Sequence, residues 1–167
     1  MVNVVLDSDF LSSFLKIAAL HRVREVFGSE TLLVPTAVYR ELAVTDLLPH
    51  LTSTDWLEVR QVPEGAVETA SRTASSEYDD LGAGEREAIA LARHLDSSVL
   101  LMNDKKALRC AGKLGVQVVN VPAFLLLYRS LGDEAASEVR SLVEALEQKD
   151  HYAFSEEIRA RLLAGDH

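Results

Sequence analysis

The stretch LGAGEREAIALARHLDSSVLLMNDKKALRCAGKLGVQVV, residues 81–119, decides the fold. Gly82 and Gly84 break the chain ahead of a helix over Glu85–Leu95, in which Ala88, Ile89, Ala92 and Leu95 recur at helical spacing. Ser98–Met102 follows as a short apolar strand, Asp104–Leu114 as a second helix closed by Gly115, and Val116–Val119 as a second strand. Alternation of this kind joins parallel strands through right-handed crossovers, so the strands share one sheet with helices laid over it.

The pattern extends in both directions. Upstream, the β-branched run Val2–Leu6 precedes Phe10, Leu11, Phe14, Leu15, Ala18 and Ala19 at helical spacing. Leu32–Val34 stops at Pro35, and Thr36 is placed to cap a helix through Ala43 with Val38 and Leu42 on one face. A short helix at Leu47–Leu51, an edge strand at Trp56–Val62 and a polar-ended helix at Ala66–Glu77 are expected next. Downstream, Pro122 opens a helix, and Asp133–Glu147 and Ser155–Leu163, parted by a break at His151-Tyr152, form a helical tail. The predicted class is α/β: a three-layer α/β/α sandwich with a central, mostly parallel sheet plus C-terminal helices. It divides into a domain over residues 1–131 and a helical extension over residues 132–167, packed on or beside it.

Composition narrows the function. With 167 residues, 48% of them hydrophobic and 26% charged, the chain has the makings of one compact core, which excludes disorder and repeat arrays. The longest apolar run, Val121–Tyr128, falls far short of the ~20 residues a membrane helix needs. No basic segment precedes Val2–Leu6 and Asp7 ends it at once, so the chain reads as cytoplasmic. Cys110 is the lone cysteine, which excludes an intramolecular disulfide and a Cys-built zinc site and leaves it as a small buried hydrophobe. The net charge of -9 opposes nonspecific attraction to nucleic acid. Yet residues 105–132 hold Lys105, Lys106, Arg109, Lys113 and Arg129 and no acid, a local basic segment able to meet a polyanion.

Ligands of an open parallel sheet collect beyond the carboxyl ends of its strands. Asp7 directly follows the first strand, Asp9 lies two residues on, and Asp104 follows Ser98–Met102. Each also suits a helix N-cap. Glu85 stands three and four residues before Ala88 and Ile89, on the buried face of its helix, whereas Glu87 falls in line with Leu91 on another face. Glu41 lies beside the Val38–Leu42 stripe, where a salt bridge to Arg40, Arg22 or Lys105 is the plain alternative. Four acids from separate β-α units are thus expected at one edge. They would raise one another's pKa unless divalent cations neutralised them, and an oxygen-only donor set suits Mg²⁺ or Mn²⁺. Such a cage polarises a phosphodiester and lowers the pKa of a bound water, which is nuclease chemistry. Lys106, Arg109 and Lys113 recur at i, i+3 and i+7, giving the helix after Asp104 a basic face beside it.

Four strings now resemble a known family: Val-Val-Leu-Asp7-Ser-Asp-Phe-Leu, Val34-Pro-Thr-Ala-Val-Tyr-Arg-Glu41-Leu, Leu81-Gly-Ala-Gly-Glu85-Arg-Glu-Ala-Ile-Ala-Leu-Ala and Leu101-Met-Asn-Asp104-Lys-Lys-Ala-Leu-Arg-Cys-Ala. In order and spacing they resemble the PIN-domain family over about residues 2–130. The third block resembles a VapC-like prokaryotic subgroup with a helical tail. The resemblance implies a metal-dependent ribonuclease, an endonuclease acting on RNA, commonly the toxin of a toxin-antitoxin pair. Carried over by position, Asp7, Glu41, Glu85 and Asp104 are the catalytic, metal-binding acids, with Asp9 able to add an oxygen. Ser8 is the small hydroxyl after the first acid. It joins Asn103, Lys105, Lys106, Arg109 and Lys113 on the substrate side. Asn103-Asp104-Lys105 departs from the acid pair or Thr-Asp frequent in the family.

Two rivals remain. Asp7-Ser8-Asp9 also resembles the opening of haloacid-dehalogenase-like phosphatases, with Lys105 or Lys106 as a later lysine, but that reading leaves Glu41 and Glu85 without a role. A degenerate PIN-like module that binds RNA or protein without turnover is the other. The tail stripe Ala136, Val139, Leu142, Val143 and Leu146 is expected to pack on its own domain, and any exposed part would serve a homodimer or an antitoxin protein.

Overall fold

The computed structural model describes residues 1–74 and 76–164. In chain order the first half comprises β1 (Asn3–Leu6), α1 (Ser8–Lys16), α2 (His21–Phe27), β2 (Leu32–Pro35), α3 (Thr36–Ala43), α4 (Leu48–Ser53) and β3 (Leu57–Arg60). There follow α5 (Ala66–Thr73), α6 (Ser76–Asp79), α7 (Ala83–His94), β4 (Ser98–Leu101), α8 (Lys105–Lys113), β5 (Val118–Val119), α9 (Val121–Arg129), α10 (Asp133–Lys149) and α11 (Glu156–Leu163). The five strands form one sheet in the order β3-β2-β1-β4-β5, and each neighbouring pair is parallel.

Side chains on successive strand residues point to opposite faces, and the strands feed two separate cores. Val4, Leu6, Leu32, Val34, Val99 and Leu101 join the cluster that also holds residues of α1, α9 and α10. Val5, Leu33, Leu100 and Met102 join the other, with Ala88, Ile89 and Leu91 of α7 and Ala107, Cys110 and Ala111 of α8. This is the predicted α/β/α sandwich. Because both faces are covered, the central strands are near-continuously apolar, and Cys110 is buried as a small hydrophobe.

Several local expectations are corrected. The first helix stops at Lys16 because Ala18 takes a left-handed φ of 55°, and an unforeseen helix, α2, follows. Pro35 rather than Thr36 holds the N-cap of α3 and its side chain offers no acceptor, so Glu87 of α7 reaches across to accept the Ala37 N–H at 3.0 Å. The edge strand narrows to Leu57–Arg60, where Glu58 and Val59 are both exposed instead of alternating. The helix expected over Ala66–Glu77 divides into α5 and α6, and its residue 75 lies outside the described residues. The last strand shortens to two residues. The tail helix over Ser155–Leu163 begins one residue later, with Ser155 as its cap, and residues 165–167 of the extension also lie outside the described residues.

The tail is bound into the larger core. Val139, Val143, Leu146 and Leu162 are buried in one cluster with Phe10, Phe14, Phe124 and Leu125. Phe124 is the hub: its ring meets Phe10 and Phe14 edge-on at 5.7 and 5.2 Å, while those two rings stack on each other at 4.7 Å. Phe124→Ala is therefore expected to cost about 3–5 kcal/mol, read as a lowered urea midpoint with an unchanged slope. A loss under 1 kcal/mol would show that the aromatic cluster does not hold α9 to α1.

Candidate functional site

The strand order creates the site. From β1 the chain moves outward through β2 and β3, then returns to place β4 on the other side of β1, so a crevice opens at the carboxyl ends of β1 and β4. The Asp7 backbone N–H donates to the Leu101 carbonyl at 3.0 Å, which extends the β1–β4 ladder and fixes Asp7 at this junction. α7 and α8 both begin at the same edge.

Asp7 occupies the N-cap position of α1, yet its carboxylate makes no cap bond. The residue is fully buried, and neither oxygen has a hydrogen-bond partner. Burial pushes its pKa up from 3.8 to about 7; the nearby Ser8 backbone N–H pulls the other way without completing a bond, and the charges of Asp9, Glu85 and Glu41 push it higher. Capping therefore does not account for Asp7. It does account for one oxygen of Asp104, whose Oδ1 accepts the Ala107 N–H at 2.9 Å and starts α8.

Glu85 and Glu41 are held by backbone donors. Glu85 Oε1 accepts the Gly82 N–H at 3.3 Å at the start of α7, while its Oε2 is buried without a partner. Loss of solvent raises the Glu85 pKa, Asp104 raises it further, the Gly82 N–H opposes this, and Asp9 and Glu41 add to it. Asp9 is shifted in the same direction, by desolvation first and then by Asp104, Glu41 and Asp150. Glu41 makes none of the salt bridges considered for it; its Oε1 accepts the Gly84 N–H at 3.0 Å instead. Gly84 is glycine for a steric reason, since a Cβ there would run into the Glu41 carboxylate. Glu87 is spent on α3, so the two glutamates of this block separate by what they touch.

The acids feel one another's charge, but they do not form a ready cage: among the described residues no three His, Cys, Asp or Glu side chains make a group able to hold a metal ion as they stand. In donor chemistry they fit a hard dication, since both Asp7 oxygens and Glu85 Oε2 are unused acceptors and the set is all oxygen.

On the basic side, Lys106 and Arg109 face Asp80 and Glu77 at 3.8 and 3.9 Å, long and largely exposed pairs worth little. Lys105 and Lys113 are exposed and stand in no ion pair among the described residues. Ser8 is half-buried beside Asp7. Asn103 turns its Oδ1 to the Tyr152 hydroxyl at 2.9 Å and to the Val121 N–H at 3.3 Å, tying the tail to the end of β4. Sequence reasoning missed Asp150, which lies close enough to burden Asp9 while bound by Lys16 at 2.9 Å and by the Ser13 hydroxyl at 2.6 Å. Its signal was the His151-Tyr152 break that follows it.

A three-layer parallel fold with carboxylates at its switch point has a nuclease-like layout. A family model described as DUF3368, PIN domain, matches residues 3–165, through α10 and α11, and the chain belongs to the PIN-domain family. No curated protein matches the chain. No helix among the described residues is long and apolar enough to cross a membrane.

Because Asp7 keeps its proton to a higher pH when folded than when unfolded, its burial subtracts nothing below about pH 4 and progressively more as pH rises to about 7. Asp7→Asn is expected to match the parent protein's melting temperature at pH 4 and exceed it at pH 8, by up to about 4 kcal/mol in stability. Equal melting temperatures at pH 8 would show that Asp7 carries no such burden.

Proposed function

We propose that this PIN-domain protein is a ribonuclease that hydrolyses RNA phosphodiester bonds with Mg²⁺ or Mn²⁺ held by Asp7, Glu41, Glu85 and Asp104, Asp9 adding a further oxygen. The observation that carries this reading is the buried Asp7 carboxylate, with two unused oxygens, at the switch point of a PIN-family sheet and under the charge of three other acids. A dication bound there supplies charge neutralisation, polarisation of the phosphate and a water of lowered pKa. The chain supplies the positioning. Gly84 aims Glu41, Gly82 aims one oxygen of Glu85, and the cap of α8 fixes Asp104. Lys105, exposed and without an ion pair among the described residues, meets the strand's phosphate at the open side of the acids.

The reading extends to a cytoplasmic toxin of a VapC-like pair whose antitoxin is a small protein encoded beside it, and to a homodimer through exposed Leu127 and Leu131. The tail stripe is a poor candidate for either contact, because Val139, Val143 and Leu146 are buried in the protein's own core. Growth arrest on expression, relieved by the neighbouring gene product, tests the first; sedimentation at tens of micromolar tests the second. A binding module without turnover is favoured by one observation, the lack of a preformed metal-holding group among the described residues.

Cleavage of single-stranded RNA is expected with Mn²⁺ or Mg²⁺, to vanish with a chelator, and to fall at least about 100-fold in Asp7→Asn and Glu85→Gln. Mn²⁺ should raise the melting temperature of the parent protein at pH 8 and not that of Asp7→Asn. Gly84→Ala removes no acid but displaces the Glu41 carboxylate, and should lose about 10-fold in activity. Binding without cleavage would favour the module, cleavage of phosphomonoesters alone the phosphatase, and full activity of Asp7→Asn would sink the proposal.

A further inference from the structure

A groove of about 520 Å³ opens beside the acids, between the start of α8, the start of α9 and the loop after α10, lined among others by Asn103, Lys105, Asn120, Tyr152 and Phe154. It adjoins the acid cluster on two sides. Asp104 sits in the chain between Asn103 and Lys105, and Asp150, which lines the groove too, lies within charge range of Asp9.

The groove wall is built as well as open. At the end of α10, His151 takes a left-handed φ of 53° and the Tyr152 N–H returns to the Leu146 carbonyl at 3.1 Å, which swings the loop towards β4. The Tyr152 hydroxyl then donates to Asn103 Oδ1, and the rings of Tyr152 and Phe154 lie 4.6 Å apart, both half-buried. The pair, tilted at 47° and packed in part on the larger core, forms an aromatic wall of the groove.

Apart from Asp150, the charged and amide side chains of the groove present donors. Asn103 Oδ1 is taken by Tyr152 and Val121, and Asn120 Oδ1 by the Ala123 N–H at 2.9 Å, so these donors fix both amides with their NH₂ groups left to donate. The Asp150 carboxylate is occupied by Lys16 and Ser13. Lys105 adds a cation that no acid neutralises among the described residues. Aromatic walls with unspent donors and one positive charge suit an unpaired nucleotide, whose base stacks and whose phosphate and ring atoms accept.

We infer that this groove is a subsite for one unpaired nucleotide of an RNA strand, stacked on Tyr152 and Phe154 with its phosphate at Lys105. The inference rests on the ribonuclease reading for the strand's path past the acids, and on the groove alone for the stacking. The single cation predicts weak dependence on salt, a slope of about -0.7 in log affinity against log salt for one phosphate met.

The test uses the full-length protein in chelator and a fluorescein-labelled hexaadenylate RNA, with binding read by anisotropy. Phe154→Leu and Lys105→Ala should each weaken binding by about 5-fold or more, Lys105→Ala at an unchanged melting temperature and both well below the melting transition. Phe154→Trp should restore it, and Lys105→Ala should flatten the salt dependence. Equal binding by all variants, or tighter binding of a duplex of the same length, overturns the subsite; if the parent protein still cleaves RNA with Mn²⁺, the ribonuclease reading survives that result. Variant-sensitive binding by a protein that never cleaves RNA would instead uphold the subsite and overturn the ribonuclease reading.

Discussion

A carboxylate with no hydrogen-bond partner is enclosed where the two central strands end, and it is surrounded by charges of its own sign. Burying Asp7 in this way is unfavourable, and the loss of solvent, with the neighbouring negative charges, pushes its pKa up to about 7. The fold tolerates it because the central strands are sealed by apolar layers above and below, and because the backbone of Asp7 is fixed by the β1–β4 ladder whatever its side chain prefers.

The other acids are stabilised differently. Glu85 and Glu41 accept the N–H groups of Gly82 and Gly84 at the start of α7, Asp104 accepts one at the start of α8, and Glu87 answers the start of α3. Helix N-termini offer unpaired donors and a partial positive charge, so they hold anionic side chains where repulsion would scatter them. Two helix starts, those of α7 and α8, lie at this edge, and Glu41, Glu85 and Asp104 are pinned there one by one. Asp7 alone among the four strand- and helix-borne acids of the proposed site completes no such bond, which makes it the member with most to gain from a cation.

The C-terminal helices serve this arrangement from outside. Buried Val139, Val143 and Leu146 anchor α10 on the larger core, Lys16 and Ser13 hold Asp150 against α1, and the turn at His151 carries Tyr152 to Asn103. Packing energy spent far from the acids thereby fixes a wall beside them. The same tail that completes the core completes the groove. Much of the layout was legible in the chain: alternating β-branched runs and amphipathic stretches indicated the layered class, because periodicity is a local property of the backbone. The spacing of Ala88 and Ile89 separated Glu85 from Glu87, although both side chains are half-buried. Propensity could not see the kink at Ala18, the break between α5 and α6 or the curtailed strands, since these answer to packing at the ends of elements.

What the amino-acid order alone determined was which residues are acidic, which faces are apolar and that strands alternate with helices. Only the tertiary structure decided that Glu87 caps α3 while Glu85 turns to the acids, that Gly84 exists to admit Glu41, and that Asp150 and Tyr152 reach the site from the far end of the chain. The reason is physical: hydrogen-bond partners, burial and charge coupling depend on distances between segments remote in sequence, and those distances are set by how the two cores close around the sheet.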